Sequence, residues 1–543
     1  MKAASDTPFY HRLLKPESLF ICILLITLVL RFAFLDLKLF HHDEAVHAWF
    51  AYQLLTKGTY IYDPVFHGPF LFYVTAGLFS IFGDADLVGR LLPAFLGTLL
   101  VALVYPLYRM RYLDGKQMLV AALFLALSPG MVYFSRFLRN DIFIAFFSLL
   151  LVVATLAYFN SGKLRFALVA GLATALGMSS KENMPIILVI FGTYFIYCLW
   201  TRRLVFPRTW RRDILLSAAL AGGVIALFYS SFGAHPEIVL QAGQMAISHW
   251  TGMHEVQRLG GPWFFYLILF ILYEVPILLL AGMGLFGFIA AHTQSLKLRS
   301  NEPERNSETG GDSSGPSISS TVIERISSSF RRPEPGIAYD PKTEFIRFSL
   351  WWMITSLAVY AYLGEKVPWL ILHQLLPMIF VATYRPDRLK MIIVAVGAVF
   401  LLGMTLHVAF TPGDIAEPIV QVQNSEDLRL VMEWIDASDR VGIATDTIWP
   451  LNWYYRGEDR WSKITYFGGS SNKGSLMAGN FDLIITHDQD SYDEIPGFEK
   501  TTLKHSYWVT YHEVKGDLIR YYLTRQVEVG SKRYDIFRSA AST

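Results

Sequence analysis

Long apolar runs, repeated along the chain and parted by short basic loops, constrain this sequence more than any other feature. The first occupies residues 19–35, and others fall near 87–108, 117–134, 141–159, 166–180, 184–201, 214–232, 263–292, 346–363, 368–384 and 389–410. A helix needs about 20 residues to cross a bilayer, so these runs read as roughly 11 transmembrane helices. The composition agrees. Of 543 residues, 53% are hydrophobic and 15% aromatic, too apolar for a soluble globule. The segment GPFLFYVTAGLFSIFG, 68–83, is shorter and reads as re-entrant or interfacial. No small-residue cleavage site follows the first run, which therefore reads as an uncleaved anchor.

The loops set the orientation. Arg109, Arg111 and Lys116 share one loop, Lys163 and Arg165 another. Arg202, Arg203, Arg208, Arg211 and Arg212 crowd a third, and Arg385, Arg388 and Lys390 a fourth. Basic loops stay cytoplasmic. The N-terminus is then expected inside, and the stretch HHDEAVHAWF (41–50) and the tail outside. Net charge is only +2, which speaks against a nucleic-acid partner. The two cysteines, Cys22 and Cys198, lie in apolar runs and offer neither a disulfide framework nor zinc spacing.

Four segments follow from composition. Residues 1–294 form an N-terminal transmembrane core whose first outer loop is 37–86. Residues 295–342, including NSETGGDSSGPSISS, are polar and rich in Ser and Gly. They are too poor in apolar surface to offset chain entropy, and a disordered cytoplasmic linker is expected. Residues 343–410 hold the last three spans. From 414 to 543 the pattern turns soluble-like. NSEDLRLVMEWIDA reads as an amphipathic helix capped by Asn424 or Ser425, and RVGIATD, KITYFG and FDLIITHD read as strands. A small extracytoplasmic α/β domain of about 120 residues is expected, large enough for one core.

On the outer side polar residues recur at separate turns. Asp43 and Glu44 open the first loop. Arg136, Arg139 and Asp141 sit between two spans, Lys181 and Glu182 between the next two. His249, His254, Glu255 and Arg258 occupy the 233–262 loop, and Glu365, Lys366 and His373 a late turn. Ionisable groups at membrane depth are costly and point to function. One Lys or Arg alone is as well explained by snorkelling, but recurrence on one face weakens that explanation for the set. Arg and Lys hold phosphate, and a nearby carboxylate takes a proton from an attacking hydroxyl. A sugar carried on a lipid phosphate brings its own leaving group. Neither a GxxxxGK[ST] loop nor a dinucleotide fingerprint occurs in the right setting.

These segments resemble the GT-C superfamily of membrane glycosyltransferases, especially its dolichyl-phosphate-mannose protein mannosyltransferase and aminoarabinose transferase branch. "HHDEAVHAWFAYQLLTKGTYIYDPVFHGPFLFY" resembles the family's first outer loop, and Ser135, Arg136 and Asp141 resemble its S-R-x-x-x-x-D turn. "ALGMSSKENMP" and "GEKVPWLILHQLLPMIF" resemble two later segments, in the same order, with His373 where other branches carry tyrosine. "EKVPWL" and "TDTIWPLNWYYR" also look like a largely archaeal subgroup linked by name to lipid-sugar flipping.

The resemblance implies an inverting glycosyltransferase. It takes its sugar from a polyprenyl- or dolichyl-phosphate in the bilayer and gives it to a glycan or protein acceptor. In that reading Asp43 and Glu44 are catalytic. Arg136, Arg139, Lys181, Lys366 and His373 bind the donor phosphate, and Asp141, Glu182 and Glu365 support them. Glu44 with His42 is a possible site for a divalent metal. The Asp-Glu pair also suits a helix N-terminus. His42 and His47 are five apart, so the H-E-x-x-H zinc motif is absent. Trp449, Trp453, Tyr454 and Tyr455 fit core packing better than glycan stacking. The alternative function is a component of a lipid-sugar flippase, although paired interrupted helices in two repeated halves are not evident. An intramembrane hydrolase lacks its GxSxG or HExxH signature.

Overall fold

A computed structural model describes residues 15–256, 260–300, 340–469, 473–490, 492, 494–509, 511–527 and 530–539. Helices stand at each expected apolar run. The N-terminal half gives α1 (Pro16–Phe32), α2 (His42–Lys57), α3 (Phe70–Phe82), α4 (Asp86–Arg109), α5 (Gly115–Leu127), α6 (Pro129–Ser135), α7 (Asp141–Ser161), α8 (Leu164–Met178) and α9 (Asn183–Trp200). There follow α10 (Trp210–Tyr229), α11 (Ile238–Val256), α12 (Phe265–Tyr273), α13 (Val275–Ser300), α14 (Pro341–Tyr362), α15 (Ile371–Ala382) and α16 (Arg388–Phe410).

Among the described residues five helices are long and apolar enough to cross a membrane, or seven if two bent pairs each count as one span. This is a multi-pass membrane architecture. The bends have local causes. Pro129 follows Ser128, whose hydroxyl caps α6 by accepting from the Met131 N–H at 3.1 Å, and the α5–α6 pair turns by 57°. Pro276 lacks the N–H that would continue α12, and α12 and α13 part by 112°. Helix α3 has 13 residues. At 1.5 Å per residue it reaches only about 20 Å, short of the ~30 Å hydrocarbon core, as expected for 68–83. Helix α7 lies in the middle of the bundle, buried along most of its length.

The expected 295–342 linker falls mostly outside the described residues. Its first six residues continue α13, and its last two open α14.

The tail forms a six-stranded mixed sheet. Its strands are β1 (Val422–Asn424), β2 (Val441–Ala444), β3 (Ile464–Tyr466), β4 (Leu483–His487), β5 (Phe498–Trp508) and β6 (Ser531–Ser539), in the order β1-β5-β6-β4-β2-β3. Strand β2 runs parallel to β3 and β4, and the other pairs are antiparallel. Alternation along β4 sends Leu483 and Ile485 to one core and Ile484 to another. Helix α17 (Leu428–Ala437) covers the first face with Leu428, Val431 and Ile435. Asn424 falls in β1 instead of capping α17; the residue at its cap is Asp427, whose N–H donates to Ser425 Oγ at 3.2 Å. LIRYYLTR carries a short helix, α18 (Leu518–Thr524).

The aromatic run of the tail joins the sheet domain to the helices. Trp453 Nε1 and the Tyr454 hydroxyl donate to the two oxygens of Asp86, at 2.7 and 2.6 Å. Arg456 lies over the Trp453 ring and pairs with Asp84 at 2.6 Å. Trp453 is fully buried, so it packs and cannot stack on a sugar.

Candidate active site

Residue His41 begins the site by ending a loop. Its Nδ1 accepts the Asp43 N–H at 3.0 Å while Glu44 Oε2 accepts the His41 N–H at 3.0 Å, a reciprocal capping box that starts α2. Burial pushes the His41 imidazole down to about 3, which keeps it neutral and able to accept. Asp43 then sits in the first turn of α2, where helix dipole and free N–H groups favour a negative charge.

Its neighbour turns the other way. Glu44 is 1% exposed. Arg90 from α4 grips both its oxygens, Nε to Oε1 at 2.8 Å and Nη2 to Oε2 at 2.6 Å, and the Leu138 N–H adds a bond of 2.9 Å to Oε1. Glu44 does not line the cavity described below. With four donors on its two oxygens it has no lone pair left for a metal. Among the described residues there is also no group of three or more His, Cys, Asp or Glu arranged to hold one. The possible Glu44–His42 metal site therefore does not fit, and Glu44 is an anchor beneath Asp43.

Three turns carry the rest. Arg139 lies between α6 and α7. It pairs with Asp43 and, through Nε at 3.3 Å, with Asp141, the first residue of α7. Its guanidinium lies 3.6 Å from the centroid of Trp369. Lys181, between α8 and α9, donates to both Asp141 oxygens at 2.8 and 2.9 Å. His373 of α15 approaches Asp141 from behind, at 3.3 Å. Glu182 accepts from His67 Nδ1 at 2.9 Å and from the Tyr62 hydroxyl at 3.1 Å. The loop bearing His67 is stitched to this turn. Gly68 N–H donates to Ser180 O at 3.0 Å and Phe70 N–H to Ser179 O at 2.9 Å. A Cβ on Gly68 would overlap the Ser179 carbonyl, so only glycine permits that approach.

These groups open on a cavity of about 780 Å³ whose lining includes Asp43, Arg139, Lys181, Glu182 and Glu365. The lining also has an apolar share, with Pro185, Ile186, Ile225 and Ala246. The tail domain supplies Gln421, Val422 and Trp508. Helix α11 covers one side, with Trp250 stacked on His67 at 5.7 Å between centroids. Burial alone would raise the Asp43 carboxyl, but Arg139, helped by His41 and His42, outweighs it and holds the group well below the usual carboxylate range. Lys181 is pushed down by burial, an effect that Asp141 opposes.

Two expected phosphate ligands lie elsewhere. Arg136 donates to the carbonyls of Leu30, Arg31, Ala33 and Phe34 at 2.6–3.3 Å, closing the C-terminal end of α1. Lys366 Nζ donates to the carbonyls of Tyr360, Ala361 and Leu363, closing α14. Both are consumed by orphan helix carbonyls, and neither lines the cavity. His373 stands behind Asp141, outside the cavity lining. Arg258 and the side chain of His254 fall outside the described residues. Sequence reasoning missed Arg90 and Trp250, and the pairing of His67 with Glu182. For Arg90 a signal existed, an arginine within the apolar stretch DLVGRLLP. For the other two there was none, because their part depends on a ring stack between distant loops.

The family model for dolichyl-phosphate-mannose-protein mannosyltransferases matches residues 66–231. That span holds His67, Arg139, Asp141, Lys181 and Glu182. No curated protein matches the sequence. Among solved structures, ArnT from Cupriavidus metallidurans bound to undecaprenyl phosphate is 11% identical. The likeness covers 96% of this chain and 98% of that one, with a TM-score of 0.55. The Archaeoglobus fulgidus oligosaccharyltransferase in complex with zinc and sulfate is 14% identical over 87% of this chain and 68% of that one, with a TM-score of 0.50. The S. cerevisiae Pmt1-Pmt2 complex bound to the sugar donor is 23% identical over 42% of this chain, with a TM-score of 0.33; the match spans only 34% of the yeast chain's length. The flippase alternative draws no support from these matches. Whole-chain likeness to ArnT gives this chain that protein's fold, and the mannosyltransferase pattern lies within residues 66–231.

Proposed function

We propose that the protein moves a sugar from a polyprenyl- or dolichyl-phosphate to a glycan or protein acceptor on the extracytoplasmic face, with inversion at the anomeric carbon. The observation that carries this reading is one cavity in which a carboxylate, Asp43, faces two cations, Arg139 and Lys181, in a partly apolar lining. The acceptor hydroxyl attacks the anomeric carbon and its proton passes to Asp43. The bond from that carbon to the phosphate oxygen breaks, and its electrons stay on the lipid phosphate, next to Arg139 and Lys181. General-base help of this kind contributes roughly 10²–10⁴-fold.

The charges add a condition. Without donor, Arg139 and Lys181 are balanced by Asp43 and Asp141. A phosphate that takes Arg139 releases Asp43 from its partner, and the freed carboxylate becomes a stronger base as the donor arrives. Arg136 and Lys366 take no part. The outward orientation rests on the basic loops. Helices α8 and α9 each run between a basic loop and the turn 179–182 that carries Lys181, so site and basic residues lie at opposite ends.

The test uses purified protein in detergent with polyprenyl-phosphate [³H]mannose. Release or transfer of label, lost in Asp43→Asn, is expected; intact donor under all conditions overturns the reading, as a flippase would leave it. Protease added to right-side-out vesicles should clip the tail domain, and clipping between 300 and 340 instead would reverse the orientation.

A further inference from the structure

The tail domain contributes a wall to the cavity, and one residue there is unlike its surroundings. Gln421 is 4% exposed, yet its Oε1 accepts no hydrogen bond from any described residue. A buried amide oxygen left unpaired costs free energy and calls for a partner. Its backbone is fixed in the left-handed region at φ +63°, which a non-glycine residue adopts at a cost. The backbone itself is satisfied, with N–H to Glu417 O at 3.2 Å and C=O accepting Val509 N–H at 2.8 Å. Strain is thus retained at a residue that lines the cavity. Gln423 and Asn424 also carry unpaired buried amide oxygens, but neither lines this cavity.

Beside Gln421 stands Trp508. It pairs across the β1–β5 ladder with Val422, is half-buried and lines the same wall. The wall lies at Asp43's end, since Asn424 Nδ2 donates to Phe40 O at 2.7 Å, just ahead of α2. An indole face offers a platform for the C–H face of a pyranose, and a planar amide both accepts from and donates to ring hydroxyls. A few placed polar groups in a largely apolar lining are what fixes a small ligand's orientation.

We propose that Gln421 and Trp508 form a saccharide subsite in the wall that the tail domain lends to the cavity, and that it holds a sugar acceptor beside Asp43. This rests on the transferase reading for the word acceptor; the saccharide subsite itself does not. The ligand class is a sugar rather than a peptide, because the pair presents a ring platform and a hydroxyl partner.

The experiment is saturation-transfer NMR on the full-length protein in detergent. The probes are methyl glycosides of mannose, glucose, galactose and N-acetylglucosamine, with a Ser/Thr-containing peptide as a separate arm. At least one glycoside should receive saturation. Affinity should fall about tenfold in Gln421→Gly and in Trp508→Leu, the loss expected of one hydrogen bond or one ring contact. Gln421→Gly relieves the left-handed strain, so it should fold at least as stably as the parent, and lost binding there is not lost folding. No saturation in any glycoside, saturation indifferent to both variants, or a response of the peptide alone overturns the subsite. Donor turnover, measured separately, keeps the two ideas apart. Variant-sensitive sugar binding without donor consumption sinks the transferase and leaves the subsite. Donor consumption with indifferent sugar binding does the reverse.

Discussion

Replacing Arg90 by alanine should cripple an enzyme whose cavity Arg90 never enters. Its guanidinium spends its donors on both oxygens of Glu44 and on the carbonyls of Leu35, Lys38 and Leu39, at 2.6–3.2 Å. The side chains of Arg90 and Glu44 are only 6% and 2% exposed, so solvent screens little of the pair. Removing one partner of a buried pair leaves the other charge uncompensated and costs about 3–5 kcal/mol. The geometry carries the loss to the site. Glu44 holds the His41 and Leu138 N–H groups, and Asp43, beside Glu44, and Arg139, beside Leu138, are the pair that faces the cavity. A shift of about 1 Å in either costs roughly 10²-fold in rate. Reversible unfolding of the full-length protein by SDS in mixed micelles measures the stability term, and turnover of labelled polyprenyl-phosphate mannose the rate term. Both should fall in Arg90→Ala and in Glu44→Gln. The double variant Arg90→Met/Glu44→Leu should be more stable than the sum of the single losses predicts, because it leaves no orphan charge. Full stability in Arg90→Ala, or strict additivity in the double variant, would refute the anchor. Lost turnover in Glu44→Gln at unchanged stability would return Glu44 to chemistry.

Three further outcomes follow from the same geometry. Asp43→Asn should leave unfolding and donor binding near those of the parent and cut turnover by at least ~100-fold, read by single-turnover transfer; a product with retained configuration would instead mean a covalent intermediate. Because Arg139 holds the Asp43 carboxyl below its ordinary value of about 3.9, kcat/KM should show no acid limb above about pH 4. Arg139→Gln should move that limb up, since the largest opposition to burial is then gone. The folded value is depressed, so the group adds stability above its ordinary value and loses it only as pH falls through the folded one. Arg136→Ala and Lys366→Ala should lower stability, through unsatisfied helix carbonyls, and leave donor affinity unchanged in a binding assay with labelled donor; a weakened donor would restore them to the phosphate site.

The sequence by itself determined the elements and the chemistry on offer. Apolar runs of span length can be satisfied only by helices, since lipid offers backbone groups no other partner, and so helices stand at every run; α11, in the 233–262 stretch read as a loop, was not legible that way. The breaks at Pro129 and Pro276 are not legible in the sequence, where 117–134 and 263–292 read as single spans. Short apolar runs marked β2, β3 and β4. The Asp-Glu pair was readable as a helix start because capping is local. What tertiary structure alone decided is which charges meet. Arg136 and Arg139 are three residues apart in one turn, yet one closes α1 and the other bridges Asp43 and Asp141. Lys181 and Lys366 both follow apolar helices on the same side, yet one meets a carboxylate and the other the carbonyls of its own helix end. Asp43 and Glu44 are adjacent and chemically alike, and the 100° step between neighbours on a helix sends one toward the cavity and the other into Arg90. A buried charge takes whichever partner packing brings within about 3 Å, and no local pattern in the chain encodes that distance.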